Sequence, residues 1–292
     1  MDKATNLYPR RFVFHGNAVA AGVFLTRIGQ TEQFLANPID AQSCLPVIGG
    51  HSEIKIQTPS FAADIARVFN YNQVYTLADG RVVDGVAVTR VQASVADIRV
   101  INQPAPGEAD AETPIVFRAA SLSLSMLSRH PLNEAQPTIE FVDGTPLFQE
   151  LSLAERPIEL ELNVELMRLG RWDDLEKNFR TNRAFFDSCC NSFAPLGREG
   201  APTFGEKIPY QRGSYALCSF VRNIRWGDRV IPGHVLTQPG FGTIYFGEIL
   251  LNDRERRVTM LRMQLGSNTG GQAVFAEGDP NGTIWPPHPQ ST

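Results

Sequence analysis

The segment PIELELNVELMRL constrains the fold more than any other part of the chain. In it Ile158, Leu160, Leu162, Val164 and Leu166 alternate with Glu159, Glu161, Asn163 and Glu165. Successive side chains leave a pleated backbone on opposite sides, so a period of two marks a strand with one buried and one wet face. ASLSLSML follows the same rule, with Ala120, Leu122, Leu124 and Met126 on one side and Ser121, Ser123 and Ser125 on the other. Further β-type runs are RRFVFHG, AAGVFLTRI, SEIKIQ, RVVDGVAVTRV, SVADIRVI, TIEFV, SYALCSFVRNI, TIYFGEILL and RRVTMLRMQL. Turn chemistry such as ADG, VDGT and LLNDRE joins them. The expected fold is mainly β, sandwich-like or two packed antiparallel sheets.

Two stretches carry helical periodicity instead. RWDDLEKNFRTNRAFFDSCC places Trp172, Leu175, Phe179, Phe186 and Cys190 near one face. Asp173 and Asp174 sit in its first turn, where the helix dipole favours acid. It reads as one long helix inserted between two β-rich halves. PSFAADIARVF, with Phe61, Ile65, Val68 and Phe69 on one face, reads as a shorter helix. Pro- and Gly-rich stretches at 101–114 and 194–209 read as linkers. The chain then divides into a first β-rich half (1–104), a linker with central strands (105–170), and the helix with a second β-rich half and an extended tail (171–292). A single folded domain is the alternative. The tail GDPNGTIWPPHPQST carries four prolines, which cannot pair in a sheet interior. Trp285 marks it as lying extended on a surface, such as that of a neighbouring subunit.

Charge narrows the function classes. The net charge is −4 and no run forms a basic patch, so nucleic acid is not an expected partner. Of the cationic residues only Lys3, Lys55, Lys177 and Lys207 are lysines; the other 23 are arginines. Arginine forks suit carboxylate and phosphate, but an excess becomes a site only where the forks cluster. The densest run, DRERR at Asp253 to Arg257, reads as a solvated turn between strands. There is no apolar run of about 18 residues, the length of a membrane helix. Neither is there an apolar leader ending in small residues, so a membrane location and a secretory signal are not expected. Cys44, Cys189, Cys190 and Cys218 have no CxxC spacing, which fits free thiols in a reducing cytoplasm rather than a structural zinc site.

A near-repeat raises the question of a site. RVIPGH (229–234) resembles PVIGGH (46–51), and each is preceded and followed by similar strings: GVFLTRI with CSFVRNI, then GRVVDGVAV with GTIYFGEIL. A duplicated unit about a pseudo-twofold axis would bring both strand ends, and so His51 and His234, into one cleft. In GGHSE a strand would project His51 and Glu53 to the same side. That makes an N,O pair able to hold a metal or run acid–base steps. GDRVIPGH resembles, over eight residues, the second half-motif of the cupins, in which a Gly-Asp pair precedes a proline turn and a metal histidine. Its Pro-to-His spacing is shorter than in that family, and the paired histidines and glutamate of the other half-motif are missing. The chain also lacks GxxxxGK[ST], GxSxG, HExxH and a dinucleotide fingerprint. His130 reads as a structural loop residue and His288 as part of the tail. DGRVVDG, whose oxygens miss the spacing of a calcium loop, reads as two turns flanking a short strand. The stripe Glu159, Glu161 and Glu165 reads as a wet face protecting an edge strand.

Two function classes follow. The first is a binding or assembly protein, a homo-oligomeric β scaffold held by strand edges or the C-terminal tail. The second is a small-molecule enzyme with a metal or acid–base site built from His51, Glu53 and His234. In it Asp228 would orient an imidazole and one divalent transition metal would be the cofactor.

Overall fold

The computed structural model describes residues 11–28, 31–61, 63–102, 114–142, 147–189, 194–195, 203–208, 216–266 and 269–285. Strands β1 (Arg11–Phe14), β2 (Asn17–Ile28), β3 (Thr31–Cys44) and β4 (Gly50–Ile56) come first. Helix α1 (Ala63–Val68) precedes β5 (Phe69–Asn70), β6 (Gln73–Val83), β7 (Val86–Asn102), β8 (Ile115–Pro131) and β9 (Thr138–Phe141). Then come β10 (Phe148–Gln149), β11 (Leu151–Leu153), β12 (Arg156–Leu162), α2 (Val164–Arg168), α3 (Trp172–Thr181) and α4 (Arg183–Cys189). The remaining strands are β13 (Ala194–Pro195), β14 (Ala216–Ser219), β15 (Val221–Trp226), β16 (Arg229–Pro232), β17 (Val235–Gln238), β18 (Gly242–Leu251), β19 (Arg256–Leu265), β20 (Thr269–Asp279) and β21 (Gly282–Trp285). Among the described residues no helix is long and apolar enough to cross a membrane.

The chain is mainly β, as the alternation requires: 64% strand against 12% helix leaves no room for a helical layer. An 11-stranded sheet runs β16-β15-β12-β11-β8-β7-β6-β4, with β5 on β7 and β9 and β10 on β8. An 8-stranded sheet runs β13-β14-β18-β19-β20-β2-β3, with β17 on β18. β2 and β20 lie over β6, β7 and β8, so the inner faces share one core. From one sheet come Val91, Val95, Leu124 and Met126; from the other come Phe246, Met263 and Phe275, all fully buried. Each such side chain contributes roughly 2 kcal/mol by leaving water. Polar pins join the layers. Ser43 and Thr76 share a buried hydrogen bond of 2.8 Å, and the Tyr71 hydroxyl donates to Asp40 at 2.5 Å. Asn102 Nδ2 donates to the carbonyls of Phe241 (2.7 Å) and Gly266 (2.6 Å).

Several sequence expectations need correction. Both sheets mix strands from 1–104 and 171–292, so the three segments are not separate units. The matched strings do not occupy equivalent places either. GVFLTRI lies wholly in the 8-stranded sheet, whereas CSFVRNI crosses from β14 of that sheet to β15 of the other at buried Phe220. GRVVDGVAV is a hairpin and GTIYFGEIL is a single strand. The long helix is broken: Asn182 is extended (φ −105°, ψ 102°) between α3 and α4. Its Oδ1 accepts the Phe185 N–H, since an asparagine side chain competes for backbone partners and prefers a cap. Cys190 lies outside the described residues.

The opening alternation stops at Leu162, where Asn163 caps α2 by accepting the Leu166 N–H. β12 lies between β11 and β15, so its acidic stripe does not guard an edge. Asp79 and Gly80 are mid-strand in β6, not a turn. A Cβ at Gly80 would come within 2.6 Å of Leu45 and 2.8 Å of Phe14, which pack there. In DRERR one arginine is not solvated: Arg256 is buried and donates to the carbonyls of Ile139 and Leu169. His130 is a buried residue near the end of β8. In the described part of the tail Gly278 and Asp279 end β20, Gly282–Trp285 form β21 paired with β1 of the same chain, and Trp285 stays exposed.

Candidate functional site

β4 stands at one end of the 11-stranded order, and His51 faces Asp79 across it on β6. His51 Nε2 lies 3.6 Å from Glu53 Oε2, so the expected pair forms. Nδ1 of the same ring lies 3.6 Å from Asp79 Oδ1. The carboxylates therefore take opposite nitrogens of one ring, and a single metal cannot be held by His51 and both acids. All three side chains are at least a third exposed, so the ion pairs of a protonated ring are worth little.

His234 lies elsewhere. It connects β16, at the other end of the 11-stranded order, to β17 of the second sheet. The chain turns at Gly233, whose N–H donates to Arg222 O, and the Phe246 N–H donates to His234 O. The side chain is thereby pressed against the outer face of the 8-stranded sheet, beside Tyr245 and Glu248 on β18 and Arg262 on β19. Arg262 clamps Glu248 with two hydrogen bonds, Nε to Oε2 at 2.6 Å and Nη2 to Oε1 at 2.7 Å. Its guanidinium also stacks 3.6 Å from the centre of the Tyr245 ring. His234 Nε2 is 4.0 Å from Glu248 Oε1, outside hydrogen-bond range, and its buried Nδ1 has no partner. Burial lowers the imidazole pKa below its ordinary value, which Glu248 opposes and Arg262 reinforces. At neutral pH the ring is neutral. Arg262 is held further into its charged form, first by the bonds to Glu248.

Asp228 is an exposed residue of the β15–β16 turn, next to the Trp226–Arg229 pair. His234 follows the other end of β16, a four-residue strand roughly 13 Å long. Asp228 therefore does not orient the imidazole. His51 and His234 share no partner, and among the described residues no group of three or more His, Cys, Asp or Glu could hold a metal.

A second charged cluster lies on the same outer face as His234. Registers align Glu248 with Thr259 and Thr259 with Glu277. Thr259 donates to Glu277 at 2.9 Å, and Arg257 Nε reaches Glu277 (3.9 Å) and Asp279 (3.6 Å). Burial pushes the Asp279 carboxyl up to about 7 against the pull of Arg257. None of Tyr245, Glu248, Arg262 or Asp279 was among the expected site residues. The one available signal was the acid interrupting the apolar run of TIYFGEILL. There Gly247 takes a positive φ (60°), and a Cβ on it would meet the Phe220 ring at 2.8 Å.

Fold and site together define an antiparallel β protein of two large packed sheets, with paired charges on one outer face and, on the other sheet, a charged end strand with no second partner strand among the described residues. The chain belongs to the family described as Domain of unknown function (DUF8256), whose pattern matches residues 12–252. That span includes His51 and His234 and ends before Arg262. No curated protein and no solved structure matches the chain.

Proposed function

We propose that this is a binding and assembly protein, a β scaffold that joins a second copy of itself through strand β4. One observation carries this reading: the open edge of β4 is self-complementary in charge. In an antiparallel β4–β4 pair centred on Ile54, Glu53 faces Lys55 of the second copy, and Lys55 faces Glu53. Both are exposed, with Ile54 at the centre of the row. Opposite charges directly across a strand pair stabilise it, and like charges weaken it. The turn before β4 adds apolar area, since Val47 and Ile48 are 60% and 86% exposed. Free Cys44, Cys189 and Cys218 support a reducing compartment, which we read as the cytoplasm.

Sedimentation velocity tests the pairing. Wild type is expected as a dimer at micromolar concentration. Lys55→Glu sets Glu against Glu and shifts it to monomer, and the exchange Glu53→Lys with Lys55→Glu restores the dimer. A monomeric wild type, or a Lys55→Glu variant that stays dimeric, removes the β4 interface.

The enzyme reading rests on a different observation, the neutral buried imidazole of His234 with an unpartnered Nδ1. Against it, Glu248 is already occupied by Arg262 and cannot orient that ring. Elemental analysis of protein purified without chelator or histidine tag discriminates between the readings. A stoichiometric transition metal lost in His234→Ala moves the assignment to an enzyme.

A further inference from the structure

An open groove of about 790 Å³ is lined by residues of β5, β7, β8, β11 and β12. A row of residues in register runs along it. Asn70 faces Arg99, Arg99 faces Arg118, and Arg118 faces Ser152. Arg118 lies between Phe117 and Ala119, which are buried in the core, so the row points outward from the 11-stranded sheet. Directly opposed residues have Cα atoms only about 5 Å apart. Two guanidiniums therefore rise side by side from adjacent strands.

Like charges so placed weaken a sheet, and several other arginines of the chain are paired with acids. Arg262 has Glu248, Arg257 has Asp279, Arg171 has Glu134 and Arg183 has Asp187. Among the described residues the guanidiniums of Arg99 and Arg118 have neither an ion pair nor a hydrogen bond. An anion lying across both forks would relieve their repulsion and use the planar geometry that arginine offers to phosphate and carboxylate.

The rest of the lining limits what that anion belongs to. Asp97, Glu150 and Glu155 border the groove, so a bare, highly charged anion is disfavoured there. Carboxylates accept hydrogen bonds from hydroxyl groups, and Asn72 Nδ2 fixes Asp97 by donating to it at 3.0 Å. All three acids have positive φ (54°, 50° and 61°), and Glu155 owes its value to the two-residue hairpin turn that it forms with Ala154 between Leu153 and Arg156. Exposed Pro157 supplies a flat apolar wall.

We propose that the groove binds an anionic monosaccharide, its phosphate or carboxylate on Arg99 and Arg118 and its hydroxyls on Asp97 and the glutamates. This site is separate from the β4 edge and does not depend on it.

Isothermal titration at low salt with glucose 6-phosphate, glucuronate, glucose and inorganic phosphate tests it. At least one charged sugar is expected to bind about tenfold more tightly than both glucose and inorganic phosphate. The tighter of the two charged sugars identifies the anion as phosphate or carboxylate. Arg99→Thr with Arg118→Thr, a pair of exposed substitutions by a good strand former, is expected to lose that binding with its circular dichroism unchanged. Three results overturn the proposal: no heat from either charged sugar at millimolar concentration, inorganic phosphate binding within twofold of the better sugar, or undiminished binding by the folded double variant.

Discussion

The two outer faces of this sandwich each carry a pair of arginines and treat them in opposite ways. On the 8-stranded sheet Arg262 and Arg257 are matched within the chain by Glu248, Glu277 and Asp279, and these acids are largely out of water. On the 11-stranded sheet Arg99 and Arg118 stand opposite each other in open solvent, unmatched among the described residues. Burial explains the difference. A desolvated charge without a partner costs several kcal/mol, so the first face must settle its charges internally. Water supports the second face, which leaves its forks available to something else.

The sharpest way to break the comparison is to unpair the first face. Glu248 is 7% exposed and takes both of its clamping bonds from Arg262. Glu248→Gln leaves that guanidinium half-buried and uncompensated, with an expected loss of about 3 kcal/mol in urea unfolding. Adding Arg262→Met should recover much of it, because the cost lies in the orphaned cation more than in the lost pair. A Glu248→Gln loss no larger than that of an ordinary surface substitution would mean the pair is solvated and the two faces are alike.

The pH dependence sharpens the same contrast at a smaller scale. Asp279 has its folded pKa raised from 3.8 to about 7 by burial. A carboxyl raised in the folded state contributes fully below its unfolded value, and that contribution disappears as pH rises through the folded value. Stability should therefore fall between about pH 4 and pH 7, by roughly 4 kcal/mol at 1.36 kcal/mol per pKa unit. His234, lowered by burial, has the opposite slope and weakens the fold as pH falls below its ordinary range. Comparing wild type with Asp279→Asn across this range isolates the carboxyl. The variant should lose the decline towards neutrality, and an unchanged profile would show that Arg257 already holds Asp279 ionised.

What the sequence made legible follows the same division between local and long-range effects. Alternation in ASLSLSML and in the first half of PIELELNVELMRL depends on neighbours along the chain, and it identified β8 and β12 as strands and the protein as mainly β. The pairing of His51 with Glu53 was also readable, because two residues on one strand face need no knowledge of the fold. The surroundings of His234 were not readable. Glu248 and Arg262 reach it through the β16–β17 turn, the positive-φ backbone at Gly247 and the β18–β19 register, and a one-residue slip in that register would send the side chains to the other face. Arg99 and Arg118 meet across a long β7–β8 connection whose length leaves the register undetermined by local turn chemistry. The apparent duplication misled because short apolar strings recur in any β-rich chain, and the crossing at Phe220 and the hairpin at 80–88 show that the matched strings hold different places in the sheets.

The smallest expected effect concerns the second face, and its sign matters more than its size. If Arg99 and Arg118 repel each other across β7 and β8 with nothing between them, removing one should slightly stabilise the free protein. Arg118→Thr also gains from the strand preference of a β-branched residue, and the expected gain is about 0.5 kcal/mol. Added salt screens exposed charges over about 10 Å at 0.1 M, so wild type should approach the variant as salt rises. Measuring both in urea at low and at moderate salt checks this. A loss on substitution that persists at both salt concentrations would mean that Arg118 is already matched by an acid of its own chain, and the contrast between the two faces would disappear.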